Sequence, residues 1–225
     1  MSYRFRNTGL SELNLSTFDT GNVTNMSYML ADNEFTSLDL SSFDTSKVTS
    51  MSNMFSGCSS LTSIDVSVLN TSKVTTMQNI FDGCSALTSI DVSGFDTSRV
   101  TDMDGMFRGC SNLTSIDVSN FDSVNVLTNV TLSEMFRDCT SLTTVNFGDW
   151  SNAFDTSKVT SMRGMFRNCT SLSTIAFNAY GAWNIRSVQY MDYMFYNCTS
   201  LTSLQDGFFN DVSSIKTTAH MFDGC

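Results

Sequence analysis

The sequence predicts an α/β solenoid in which each coil of about 26 residues supplies one short parallel strand and one short helical turn. Three observations carry this. The phrase FDTSKVTSMSNMFSGC, starting at Phe43, returns almost unchanged as FDTSKVTSMRGMFRNC, starting at Phe154. Phe43, Leu69, Phe95 and Phe121 open successive units at a constant spacing of 26 residues. Finally, one column of the repeat holds only Gly, Asn or Asp from Gly57 onward, the residues that tolerate a left-handed backbone.

The strand comes from the second half of the unit. Leu61, Ile64 and Val66 recur as Leu87, Ile90 and Val92, and as Leu113, Ile116 and Val118, which is leucine-rich-repeat spacing. Ile64 and Val66 alternate with Ser63, Asp65 and Ser67, and a period of two marks a strand with one buried face. Strands are expected around Ile64, Ile90, Ile116, Val145, Ile175 and Leu204, all parallel.

The helical turn comes from the first half. Val48, Met51, Met54 and Phe55 lie on one face at helical spacing, with Thr49 placed to cap the turn. Thr24, Thr75, Thr101 and Thr160 hold the equivalent cap position. Gly57, Gly83, Gly109 and Gly224, with Asp138, Asn168 and Asn197, stand where the turn must stop in a left-handed conformation. Between the two sixteen-residue phrases, Ser52 gives way to Arg163, Asn53 to Gly164, Ser56 to Arg167 and Gly57 to Asn168. The first three changes are expected on the outer side of the turn, and the fourth respects the left-handed position.

Residues 1–225 read as a single repeat domain of about seven to eight coils that begins and ends within a repeat, as a fragment would. Two longer units break the period with the segments FGDWSNA, from Phe147, and FNAYGA, from Phe177. The chain is 41% hydrophobic, contains no Pro and has a net charge of -10, which argues against nucleic acid as a partner. No apolar run reaches the length of a membrane span. His220 is the single histidine, and nothing forms a nucleophile, base and orienter, so the chain reads as a non-enzyme without a cofactor.

The segments MFSGCSSLTSIDVS and FDTSKVTSM resemble the BspA-like leucine-rich repeats of surface proteins, in the Met-Phe, Asp-Thr-Ser variant of repeat-rich surface lipoproteins. That resemblance covers essentially the whole chain. It implies a curved solenoid, an extracellular or cell-surface setting, and adhesion or binding to a host or matrix protein. A protein or glycan ligand on another surface is the partner it implies. A structural spacer, or a subunit that stacks end to end into a fibre, is the alternative reading, because solenoid ends need caps and none is visible.

Four sets of residues are candidates for function. Cys58, Cys84, Cys110, Cys139, Cys169, Cys198 and Cys225 share one column with Asn33. They read as buried free thiols that, like Asn33, satisfy backbone groups at the turn; no paired metal-ligand spacing occurs. Asp39, Asp65, Asp91 and Asp117 form an acidic column on the exposed strand face, either a calcium stripe at Asp65, Asp91 and Asp117 or solvated acids beside Ser and Thr. Trp150 and Tyr180, on the inserted segments, read either as an aromatic anchor patch for binding, extended by Tyr190 and Tyr193 on the next turn, or as local packing that shields the inserts. Arg108, Arg137 and Arg167 stack as a basic stripe on an acidic protein.

Overall fold

The computed structural model describes residues 1–122, 126, 129–148, 154–176, 184–204, 208–209 and 211–225. Successive units lie side by side and pair in parallel. Along one edge, Asn25, Ser50, Thr76, Asp102 and Thr131 bridge in turn, and Ser161, Tyr190 and Thr217 continue the series. Between them β2 (Val130–Thr131) pairs with β4 (Val159–Ser161). Along a second edge β1 (Ser115–Asp117), β3 (Thr144–Asn146) and β5 (Thr174–Ala176) form a parallel sheet in the order β1-β3-β5. Ile116 faces Val145, and Val145 faces Ile175, so the strands expected at these three residues are present. At Ile64, Ile90 and Leu204 the side chains are only half-buried, and no strand forms. The units there are joined by single bonds such as Thr62 N–H to Thr36 C=O, 3.2 Å.

The expected helical turn is corrected: no helix forms among the described residues. The reason is a second left-handed position. Asn53 and Gly57 both have positive φ (58° and 75°), as do Asn79 and Gly83, Gly105 and Gly109, and Gly164 and Asn168. Two left-handed residues four apart cannot lie on one right-handed helix. They turn alternate N–H groups outward instead. Asn53, Phe55 and Gly57 donate to the carbonyls of Gln78, Ile80 and Asp82 in the next unit, while Met54, Ser56 and Cys58 donate locally to Met51, Asn53 and Phe55. The turn is therefore a ladder between units. Thr49, Thr75 and Thr101 are not caps either: each donates both its N–H and its hydroxyl to the Thr carbonyl of the preceding unit.

The core runs between the two edges. Phe55, Phe81, Phe107, Phe136, Phe166, Phe195 and Phe222 stack with ring centroids 5.5–5.7 Å apart and planes within 10° of parallel. Phe43, Leu69, Phe95, Phe121 and Phe154 form a second buried spine, while Trp183 lies outside the described residues. Phe147, which opens the first inserted segment, is itself core and packs against Phe136, Phe154 and Phe166.

Candidate functional site

The inward columns are consumed by structure. Cys58, Cys84, Cys110, Cys139, Cys169 and Cys198 are free and buried, whereas Cys225 is exposed. Each thiol donates to a carbonyl one unit back: Cys84 to Phe55, Cys110 to Phe81 and Cys139 to Phe107, at 3.0–3.2 Å. Burial pushes the Cys58 thiol up to about 11 and the Cys198 thiol up to about 12. These thiols are therefore protonated donors rather than nucleophiles. Asn33 fills the same column and the same role, with Nδ2 2.6 Å from the Phe5 carbonyl. A further inward column escapes sequence reasoning. Thr20, Thr45, Thr71, Thr97 and Thr156 are buried, and Thr45, Thr71 and Thr97 bond the carbonyls of Asn70, Asp96 and Asp122 in the next unit. The Asp-Thr-Ser phrase spells this out, but Thr is so common here that the column does not stand out.

The acidic column is exposed, and each carboxylate is committed locally. Asp39, Asp65, Asp91 and Asp117 accept from the N–H of Ser41, Ser67, Ser93 and Ser119, all at 2.9 Å. Hydrogen bonds from the Ser hydroxyl and then the Ser N–H lower the Asp39, Asp65 and Asp91 carboxyls below the usual range. At Asp117 partial burial opposes the shift, but Ser119 and Asn146 together still lower it. Among the described residues no group of three or more His, Cys, Asp or Glu side chains comes together as metal ligands. Asp65 and Asp91 do line a shallow groove of about 420 Å³ with Ile64 and Ser67.

The aromatic patch divides. Trp150 and Tyr180 lie outside the described residues. Tyr190 and Tyr193 do share one half-buried face with Tyr196, and the structure adds cations to it. The Arg163 guanidinium lies 5.5 Å from the Tyr190 ring centre, and Lys216 Nζ lies 5.7 Å from it. Arg167 lies 5.2 Å from Tyr193 and 5.3 Å from Tyr196. His220 stacks on Tyr193 at 5.0 Å. Tyr193 occupies the second left-handed column, φ 57°, where other units place Asn53, Asn79, Gly105 and Gly164 but also Tyr3, Tyr28, Glu134 and His220. A bulky residue there carries strain of about 1–2 kcal/mol.

The basic stripe is corrected. Arg108 pairs with Asp82 (2.6 Å) and Glu134 (3.2 Å) of the adjacent units, and Arg137 pairs with Glu134 (2.8 Å) and Asp138 (3.2 Å) of its own, so acids neutralise these two members, while Arg167 lies over the rings of Tyr193 and Tyr196. The Asp82 hydrogen bond, against partial desolvation, holds the Arg108 guanidinium firmly charged. Arg163 pairs with Asp192, whose buried carboxylate also accepts from Thr217 Oγ1 and the Ala219 N–H.

These features define a class: a repeat protein whose interior columns stitch unit to unit and whose chemistry is left to its outer faces. The chain belongs to the family described as "Mycoplasma protein of unknown function, DUF285", which matches residues 1–88, 54–152 and 143–225. Among solved structures it is similar to the leucine-rich repeat protein of T. pallidum, at 22% identity and a TM-score of 0.46, covering 86% of this chain and 89% of that one. It is also similar to a leucine-rich repeat protein of Eubacterium ventriosum, at 18% identity and a TM-score of 0.39, covering 75% of this chain and 54% of that one. A leucine-rich repeat protein of Bacteroides ovatus follows, at 17% identity and a TM-score of 0.35, covering 77% of this chain and 49% of that one. The chain thus spans about half the length of the latter two. No curated protein matches it. None of these matches indicates a catalytic class. Among the described residues no helix is long and apolar enough to cross a membrane.

Proposed function

We propose that the chain is a non-enzymatic solenoid module for protein interaction, displayed outside the cell and used in adhesion. Its binding face is the turn edge around Tyr190 and Tyr193, with Trp150 and Tyr180 as further members expected from the sequence. The observation that carries this reading is the cluster itself: Tyr190, Tyr193 and Tyr196 lie half-buried with the Arg163 and Arg167 guanidinium groups over their rings. Tyr and Arg are the residues that concentrate interface energy. The BspA-like resemblance supplies the surface setting and a matrix protein or glycan as partner; the acidic column at Asp39, Asp65, Asp91 and Asp117 is the second face such a ligand would meet.

The test is retention of the 225-residue chain on immobilised fibronectin, laminin and collagen. Tyr190→Ala with Tyr193→Ala should weaken retention at least about tenfold, as loss of an interface hot spot does, while circular dichroism is unchanged. Asp65→Asn with Asp91→Asn should have a smaller effect that disappears at high salt. Undiminished retention of the Tyr double variant would remove this face from the reading. Surface proteolysis of intact cells that leaves the protein untouched would remove the extracellular setting.

A further inference from the structure

The cations of the regular units differ from most others in the chain. Arg6, Arg108, Arg137, Arg163 and Arg186 each hold a carboxylate within ion-pair distance. Lys47, Lys73 and Arg99 do not. They occupy one and the same position in three consecutive units, and all three are exposed. Lys47 Nζ donates to Asn22 Oδ1 at 2.8 Å. The Lys73 and Arg99 side chains have neither a hydrogen bond nor an ion pair among the described residues.

Their register is fixed from both sides. Just before them in the chain, the Thr45 and Thr71 hydroxyls bond the Asn70 and Asp96 carbonyls of the next unit, both at 3.0 Å. Just after them, the N–H groups of Thr75 and Thr101 bond the Thr49 and Thr75 carbonyls, both at 2.9 Å. The three cations therefore follow one another at the spacing of paired strands, ~4.8 Å. Like charges stacked in this way repel. Asp44 and Asp96 stand close by in the chain, but they accept from the N–H of Ser46 and Ser98, at 2.9 and 3.0 Å, and form no ion pair with the row. The middle unit has Asn70 at that position. The row is thus a repeated, unneutralised line of positive charge on a chain whose net charge is -10.

We infer that Lys47, Lys73 and Arg99 bind a linear anionic polysaccharide, with the sulfates or carboxylates of successive sugars meeting the cations of successive units. A sugar ring is about as long as the spacing between units, so charge can follow charge along the row. The row is one residue wide, with Asp44 and Asp96 before it and Asp102 and Asp104 after it. A narrow chain can lie along the cations alone, whereas a flat anionic membrane would also press on those acids. Single-stranded nucleic acid binds on exposed aromatic platforms, and the rings of these units, Phe43, Phe55, Phe81 and Phe95, are all buried. Binding along the row releases the counterions of the polyanion, so it weakens steeply with salt. The site uses neither Tyr190 nor Tyr193, and it stands or falls apart from that face.

The experiment is binding of the 225-residue chain to immobilised heparin at low ionic strength. The wild-type chain should be retained and then released by salt. Lys73→Gln with Arg99→Gln removes two charges from the row and should weaken binding at least about tenfold, with unchanged circular dichroism because both positions are exposed. Arg6→Gln with Arg186→Gln removes the same charge from exposed cations that are already paired, and should bind as wild type does. Soluble heparin should displace the bound chain, while phosphatidylserine vesicles and an oligothymidine of equal charge should not. Four results would overturn the inference: a wild-type chain that heparin does not retain, a row variant that binds undiminished, two double variants that weaken alike, which would assign binding to net charge, or vesicles or oligothymidine that compete as well as heparin.

Discussion

Asn33 shows how far one position is determined by its column. It stands where six later units place a buried Cys, and it does the thiol's work with more bonds. Nδ2 donates to the carbonyls of Phe5, Leu30 and Ala31, while Oδ1 accepts from the N–H and hydroxyl of Thr8. Asn33→Ala should lower stability by about 2–4 kcal/mol in chemical denaturation, because it strands several buried polar groups. Asn33→Cys should cost less than Asn33→Ala, since Sγ can reach the Phe5 carbonyl as Cys58 reaches that of Leu30. If the two variants are equally unstable, the column does not work through that carbonyl. The thiol column was legible in the sequence because Asn and Cys share little except a donor of suitable reach. The buried Thr column was not, because a Thr that bonds across units looks like any other Thr in a Ser- and Thr-rich chain.

At the scale of the element, the sequence separates the two halves of each unit well and describes one of them wrongly. Period-two alternation marks strands at Ile116, Val145 and Ile175, where the alternate residues turn to the core, but the same alternation at Ile64 and Ile90, where those side chains are only half-buried, forms none. The spacing of Val48, Met51, Met54 and Phe55 imitates a helix, because a ladder with two left-handed residues also returns side chains to the core every three or four positions. The clue was the column of Asn53, Asn79, Gly105 and Gly164, whose members favour positive φ. Tyr28, Glu134 and Tyr193 in the same column hide it. Gly109 tests this account. Its φ is +68°, and an added Cβ would sit 3.5 Å from the Gly83 Cα, in ordinary contact, so the penalty for Gly109→Ala comes from conformation alone. It should destabilise by about 1–2 kcal/mol. A denaturation midpoint equal to wild type would mean that the left-handed column is not enforced there.

At the scale of the molecule, the acids act against one another as pH changes. Burial raises the Asp102 carboxyl, and burial followed by the neighbouring Asp102 charge raises Asp104. Both lie on the bridged edge, where Asp102 Oδ1 accepts from the Asp104 N–H at 3.0 Å and Asp104 Oδ1 from the Ser133 N–H at 2.6 Å. A carboxyl whose folded value lies above its unfolded one binds protons more tightly when folded, so its ionisation opposes folding at neutral pH. That penalty is relieved as pH falls through the raised values. Asp39, Asp44, Asp65, Asp91 and Asp211 behave in the opposite sense. Ser hydroxyl and N–H bonds lower their folded values, so their contribution is present above the ordinary carboxylate range and lost as pH falls through it. Stability should therefore rise on mild acidification, peak just above the ordinary Asp range, and fall below it. The net charge of -10 adds to the rise, because protonation reduces self-repulsion. Asp102→Asn with Asp104→Asn keeps both acceptor oxygens and removes the ionisation. The double variant should melt higher than wild type at neutral pH and lose most of the rise, while the fall at lower pH is retained. Melting curves of both proteins across the acid range decide the matter. A rise of equal size in the double variant would assign it to overall charge rather than to these two carboxyls.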